Sequence, residues 1–286
     1  LVDVNYSLTG GNGDSITFDY TNYILNPNFS GINAIPATSV RIEQSAGDGG
    51  IWRHTKRSIR NIDLPITIIG TDRADVESKL RRLAKLTQDA LGQTVLSALY
   101  SDSTSLTIGL HYVGGADGGQ WGTDSGLTWC RWVMSFQAPT PFWESTEVES
   151  FSVTSGNTGR GLLPQLSKLR VSSSQALGVV TVNNTGDVAA YPIWNVLGPV
   201  SELVISDGTQ SFGFNASVAS GETITIDTET GLVTDDTGAN RYAILNPAPK
   251  LFALQPGLTS INVLGLAADA NTKITCSYSL RYEVVH

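Results

Sequence analysis

The residues best spaced for chemistry are two triads, Asp124-Ser125-Gly126 and Asp236-Thr237-Gly238. They match the D-[ST]-G turn of aspartic proteases, in which two carboxylates share one proton because close like charges cannot both ionise. That chemistry needs each aspartate on a buried apolar turn. The flanks here, QWGTDSG and VTDDTGAN, are polar and turn-like. Both triads therefore read as hairpin tips, and no catalytic residue is assigned. A glycosidase would need two carboxyl groups at a defined separation, which no motif marks.

Metal and cofactor chemistry finds no better footing. Asp117 and Asp124 share a Gly-rich loop but lack the EF-hand spacing. His54, His111 and His286 show no metal or triad spacing. Cys130 and Cys276 are far apart and sit at apolar positions of alternating stretches. They read as buried free thiols, with a disulfide as the alternative. No Walker loop, no G-x-G-x-x-G after a strand, no G-x-S-x-G and no H-E-x-x-H is present. No cofactor and no metal are expected.

Two features suit binding rather than reaction. RHTKRSIR carries Arg53, Lys56, Arg57 and Arg60 with no acid among them. The run reads either as a solvated face or as a surface that meets an acidic neighbour, so these four are the candidate subunit-interface residues. It is a small footprint for nucleic acid. Of the six tryptophans, Trp121 and Trp194 are the candidate exposed aromatics, able to stack a sugar if they lie on the surface. The others read as core or interface fillers.

The elements that must position these residues are mostly strands. Ile62, Leu64, Ile66 and Ile68 alternate, as do Leu106 to Tyr112, Cys130 to Phe136, and Ile274 to Val284. Pro65 within the first run suggests an edge or a bulge. TDRADVESKLRRLAKLTQDALG is the one helical pattern, predicted over 73–90. Val76, Leu80, Leu83, Ala84 and Leu91 lie on its apolar stripe, Thr71 or Asp72 caps it, and Gly92 stops it. Asp207-Gly208 fits a two-residue hairpin turn and Glu229-Thr230-Gly231 a short one. The Gly-rich stretch 114–126 joins two strong strands, so 99–137 reads as a long hairpin. Residues 155–175 lose periodicity and read as a linker or arm.

Composition sets the outer bounds. The 286 residues suggest about two domains. Hydrophobic residues make up 41% and charged residues only 15%, with 29 glycines, a mix that favours short strands and tight turns. The net charge is −8, and acid exceeds base in both halves, which argues against sequence-independent DNA binding. No apolar run is long enough to span a membrane, and LVDVNYSLTG shows no signal-peptide pattern.

Four stretches, in order, resemble the distal tail protein (Dit) family of siphovirus-type phages. They are RSIRNIDLPITIIGTDRADVESKLRRLAKL, TPFWES, NNTGDVAAYPIWNVLGP, and the closing pair LQPGLTSINVLGL and ITCSYSLRYEVV. Together they cover most of the chain. The resemblance implies a mainly β protein. Residues 1–154 would be a ring-forming β-sandwich with one α-helix and a long hairpin, 155–175 a linker, and 176–286 a galectin-like β-sandwich. It implies a homo-hexameric ring at the distal end of the tail, in the virion, made in the host cytoplasm. The expected partners are the major tail tube protein and the tail-associated or baseplate hub protein, with receptor-binding or fibre proteins on the C-terminal domain. DNA would pass through the lumen without specific binding. In that reading Tyr191-Pro192 sets an extended approach to a strand built from Ile193, Trp194, Val196 and Leu197. A carbohydrate-binding adhesion module is the alternative, since fold likeness does not carry sugar binding with it.

Overall fold

A computed structural model describes residues 4–45, 47–116, 122–154 and 176–285. The protein is mainly β, with one α-helix among the described residues. It forms two compact units, Leu1–Thr146 with Tyr282–His286, and Glu147–Arg281. The expected break lay after residue 154, and the linker expected over 155–175 lies outside the described residues.

The first unit holds β1 (Asn5–Thr9), β2 (Ser15–Thr17), β3 (Tyr23–Leu25), β4 (Thr38–Gln44), β5 (Gly50–Arg57), β6 (Arg60–Ile69), α1 (Arg73–Leu86), β7 (Thr94–Leu99), β8 (Ser105–Gly115), β9 (Trp129–Ala138) and the start of β10 (Trp143–Thr154). One sheet runs β2-β1-β7-β8, and β6 lies between β3 and β9. Period two decides the core. Ile62, Leu64, Ile66 and Ile68 point inward from β6 and meet Met134 and Phe136 of β9, Leu8, Leu96, Ile108 and Trp143. Truncating any one of the buried leucines to alanine would cost about 2–5 kcal/mol.

Helix α1 starts where Asp72 accepts the Asp75 N–H at 2.8 Å while the Asp75 carboxylate accepts the Thr71 N–H at 2.9 Å. Leu83 and Leu86 pack into the core, and Arg82 grips Asp14 at 2.6 Å. The helix stops at Leu86 rather than 90. The Thr87 hydroxyl takes the Ala84 carbonyl and the Thr94 hydroxyl takes the Leu86 carbonyl, so the last turn is closed there. Leu91 falls in a separate 3-10 turn and is exposed, not part of the stripe.

One expectation for this unit is corrected and another narrowed. Pro65 is at neither an edge nor a bulge, since β6 pairs with β9 in unbroken register from Arg60 to Ile69. On the other side β3 pairs only with Ile66 to Ile68, and the Pro65 carbonyl accepts the Asn26 N–H, so the missing proline N–H faces a gap in the ladder. The hairpin expected over 99–137 is present but pairs along only part of its length. β8 spends Ser105 to Leu110 on β7 and meets β9 only from His111 to Gly115, while β9 gives its whole length to β6.

The second unit holds the rest of β10, β11 (Ala176–Asn184), β12 (Ile193–Leu197), β13 (Val200–Ser206), β14 (Ser211–Val218), β15 (Thr223–Asp227), β16 (Val233–Asp235), β17 (Gly257–Leu266) and β18 (Lys273–Tyr282). One sheet runs β11-β17-β13-β14 and the other places β16-β15-β12-β18 in order. Trp194, Val196, Ile224, Ile226, Ile274 and Cys276 share one core with Leu203, Ile205, Phe212, Phe214, Ile261 and Val263, as a β-sandwich requires. The NNTGD turn is held by buried Asn184, which accepts the Gly186 N–H and donates to the Val188 and Leu254 carbonyls. The β13–β14 connection is a four-residue loop, not a two-residue turn, because the Asp207 carboxylate accepts both the Thr209 and Gln210 N–H groups.

Candidate assembly surface

The residues with catalytic types are scattered. Asp124 and Asp236 belong to different units. Ser125 is buried and its hydroxyl accepts from Arg73 at 2.8 Å, which fixes the loop to the start of α1. Asp235, beside the second triad, accepts the Thr237 hydroxyl at 2.6 Å, and that bond first of all holds its carboxyl below the usual range. No group of three metal-ligating side chains occurs among the described residues. Cys130 and Cys276 are free, buried and in different units. His111 meets the Asp89 carboxylate on the surface. Asp117, Trp121 and His286 lie outside the described residues.

Trp194 is not an exposed aromatic. It is fully buried, edge-on to Phe151 at 5.8 Å and to Phe212 at 6.1 Å. The reason is register. Trp194 and Val196 share the inward face of β12, while Ile193 takes the outward one. The sugar-stacking reading loses its described platform.

What remains is the pair β4–β5, which forms a two-stranded sheet of its own. The register runs from Thr38 opposite Arg57 to Gln44 opposite Gly50, with a bulge at Arg53, the extra residue between Arg41–His54 and Ile42–Trp52. The bulge sorts the side chains. Val40, Ile42, Trp52 and Thr55 share one face, where the Trp52 N–H donates to the Thr55 hydroxyl at 2.9 Å. On the other face Glu43 pairs with Arg53 at 2.6 Å and with Arg41 at 3.3 Å. The apolar face is open: Val40 is 52% exposed, and Ile42 and Trp52 are each 62% exposed. An isolated two-stranded ribbon is marginal in water, and a contiguous apolar face on one marks an interaction site.

The basic run splits across this element. Arg53 is neutralised locally by Glu43, while Lys56 stands on the ribbon with no ion pair among the described residues. Arg57, at the foot of β5, donates to the Pro36 carbonyl and the Thr38 hydroxyl and pairs with Glu283. Arg60 is not a surface residue at all. It is buried at 3% exposure, and its guanidinium donates to the carbonyls of Pro141, Gly31, Ile32 and Glu283. Burial lowers its pKa to about 10. Alternation explains the placement, because Arg60 shares the inward face of β6 with Ile62 and Leu64. The exposed apolar residues of β4–β5 form a candidate surface that sequence reasoning missed. Val40, Ile42 and Trp52 alternate in sequence, but nothing local says that no core covers them.

Residues 185–282 match the family model of the siphovirus-type tail component, C-terminal domain. Across nearly all of its length the chain shares its fold with solved phage proteins. It is similar to the Dit protein of phage SPP1, described as a paradigm of the hub adsorption apparatus in phages that infect Gram-positive hosts. The two are 14% identical over 96% of this chain and 99% of that one, with a TM-score of 0.67. It is also similar to a chain of the phage P2 baseplate in its activated, calcium-bearing conformation, 10% identical over 99% of this chain and 100% of that one, with a TM-score of 0.53. No curated protein matches the sequence. The tail-component match therefore covers residues 185–282, and the likeness of the rest of the chain to the Dit protein is one of fold.

Proposed function

We propose that this chain is a distal tail protein whose copies join into a hexameric ring between the tail tube and the baseplate hub. The observation that carries this is the β4–β5 ribbon, an apolar face without cover in the single chain. A cyclic ring needs a heterologous contact, one patch of each copy on a different patch of the next. A projecting ribbon suits that geometry. In this reading residues 1–154 form the ring and 176–286 hold hub, receptor-binding or fibre proteins. Lys56 meets an acidic neighbour at the border of the seam, in keeping with a net charge of −8 per copy, while Arg53 keeps its pair with Glu43. The role is structural and places the protein in the virion. Acidic residues line the lumen in this reading, so that DNA slides without phosphate contacts.

The test is mass photometry of the purified chain across a concentration series, with negative-stain images of the largest species. Six-membered rings with a central hole support the proposal. Closed dimers would overturn it, because they require a self-complementary patch instead.

A further inference from the structure

After the second unit, residues 282–285 return to the first unit. Tyr282 packs against its core and Val285 is buried within it. Between them Glu283 meets two arginines. Its carbonyl accepts from Arg60, and its carboxylate pairs with Arg57. The same Arg57 guanidinium donates to the Pro36 carbonyl at 3.3 Å and to the Thr38 hydroxyl at 2.7 Å. Pro36 and Thr38 lie where β4 begins, and Arg57 is where β5 ends. The Ser58 N–H closes the same foot on the Ala37 carbonyl at 2.7 Å. One side chain thus holds both strands of the ribbon and segment 282–285 together. Beyond this foot the strands of the ribbon pair only with each other.

We propose that segment 282–285 is a latch on the ribbon, with the Glu283–Arg57 pair fixing the ribbon at its foot and coupling the ring seam to the point where the chain returns from the second unit. The coupling to the seam rests on the reading of the ribbon given above; the latch does not. Two consequences follow. Covering the ribbon with a neighbour and docking the segment strengthen each other by the same factor, because coupling between sites is reciprocal. The segment also follows directly on Arg281, the last residue of the second unit, so tension on that junction reaches Arg57 within two residues. A fibre or receptor engaged by the second unit would in this way loosen or tighten the seam without touching it.

The experiment is hydrogen exchange on the full chain, at a concentration where it is monomeric, comparing wild type with Glu283→Ala and Glu283→Gln. Both side chains are partly exposed, 34% for Arg57 and 22% for Glu283, so the effect is that of a screened pair. Amides of 38–40 and 55–57 should exchange roughly fivefold faster in Glu283→Ala, with Glu283→Gln between it and wild type. Those of β13 and β14 should be unchanged. Unaltered exchange at the ribbon foot overturns the latch. Equal acceleration in β6 and β9 also overturns it, since that signals general loosening of the core. A second arm separates the latch from the seam. In assembled wild type the amides of 282–285 and of the ribbon should gain protection together. A faster foot in the Glu283→Ala monomer, with no ribbon protection at any wild-type concentration, would uphold the latch and sink the seam.

Discussion

Replacing Ile42 and Trp52 together by serine tests the ribbon most directly. Each is 62% exposed in the single chain, so each still has more than half of its burial to gain. Full burial of a side chain of this kind is worth about 1.5–3 kcal/mol, so covering the remainder contributes about 1–2 kcal/mol per residue. The pair then supplies about 2–4 kcal/mol to each seam. At 1.4 kcal/mol per tenfold, the double variant should weaken each contact about 30-fold to 700-fold. The single chain should scarcely notice, because neither residue belongs to a core. Mass photometry over a concentration series reads the shift in the ring midpoint, and thermal unfolding of the monomer checks the fold. A ring midpoint equal to wild type would refute the argument that these side chains are the seam.

Three further outcomes are expected. Arg60→Met should lower the melting temperature of the first unit and leave the second in place, because four carbonyls lose their donor at about 1–3 kcal/mol for each group left unsatisfied; differential scanning calorimetry resolves this, and a single undisturbed trace would contradict it. Asp14 and Asp75 are held below the usual carboxylate range, Asp14 chiefly by the Arg82 side chain and Asp75 chiefly by the Thr71 N–H. Their contribution is fully present above pH about 4 and is lost as the pH falls through their lowered values, so the first unit should melt at a constant temperature from pH 8 to 5 and drop only in stronger acid. Cys130 and Cys276 should both resist a thiol reagent in the native protein and both react in denaturant. Burial pushes the Cys276 thiol well above its usual range, and one fast-reacting equivalent in the folded chain would contradict the placement of these side chains.

The helix and the inward faces of β6, β9 and β18 were legible because one physical signal, periodicity against a core, determines them. The same signal places Arg60 beside Ile62 and Trp194 beside Val196. Reading Arg60 by its basic neighbours and Trp194 by its type was therefore the error, and strict alternation would have buried both. The β4–β5 ribbon was hidden for a different reason. The bulge at Arg53 breaks period two between Trp52 and His54, and exposure of Val40 and Ile42 depends on what the rest of the chain leaves uncovered. The hairpin over 99–137 pairs along only part of its length, because β9 also pairs over ten residues with β6, a strand some seventy positions earlier. Resemblance supplied what periodicity could not, the likeness of the second unit to a siphovirus-type tail-component domain.

Because the first unit takes up the chain again at Tyr282, the second unit is a cassette spliced into it, opening at Glu147 and closing at Arg281. A cassette with both ends anchored can be lengthened, shortened or exchanged without rewriting the framework around it, as tolerated domain insertions show. Changes confined to the second unit would leave the packing of the first unit untouched. An engineer would graft a different domain at the same two peptide bonds.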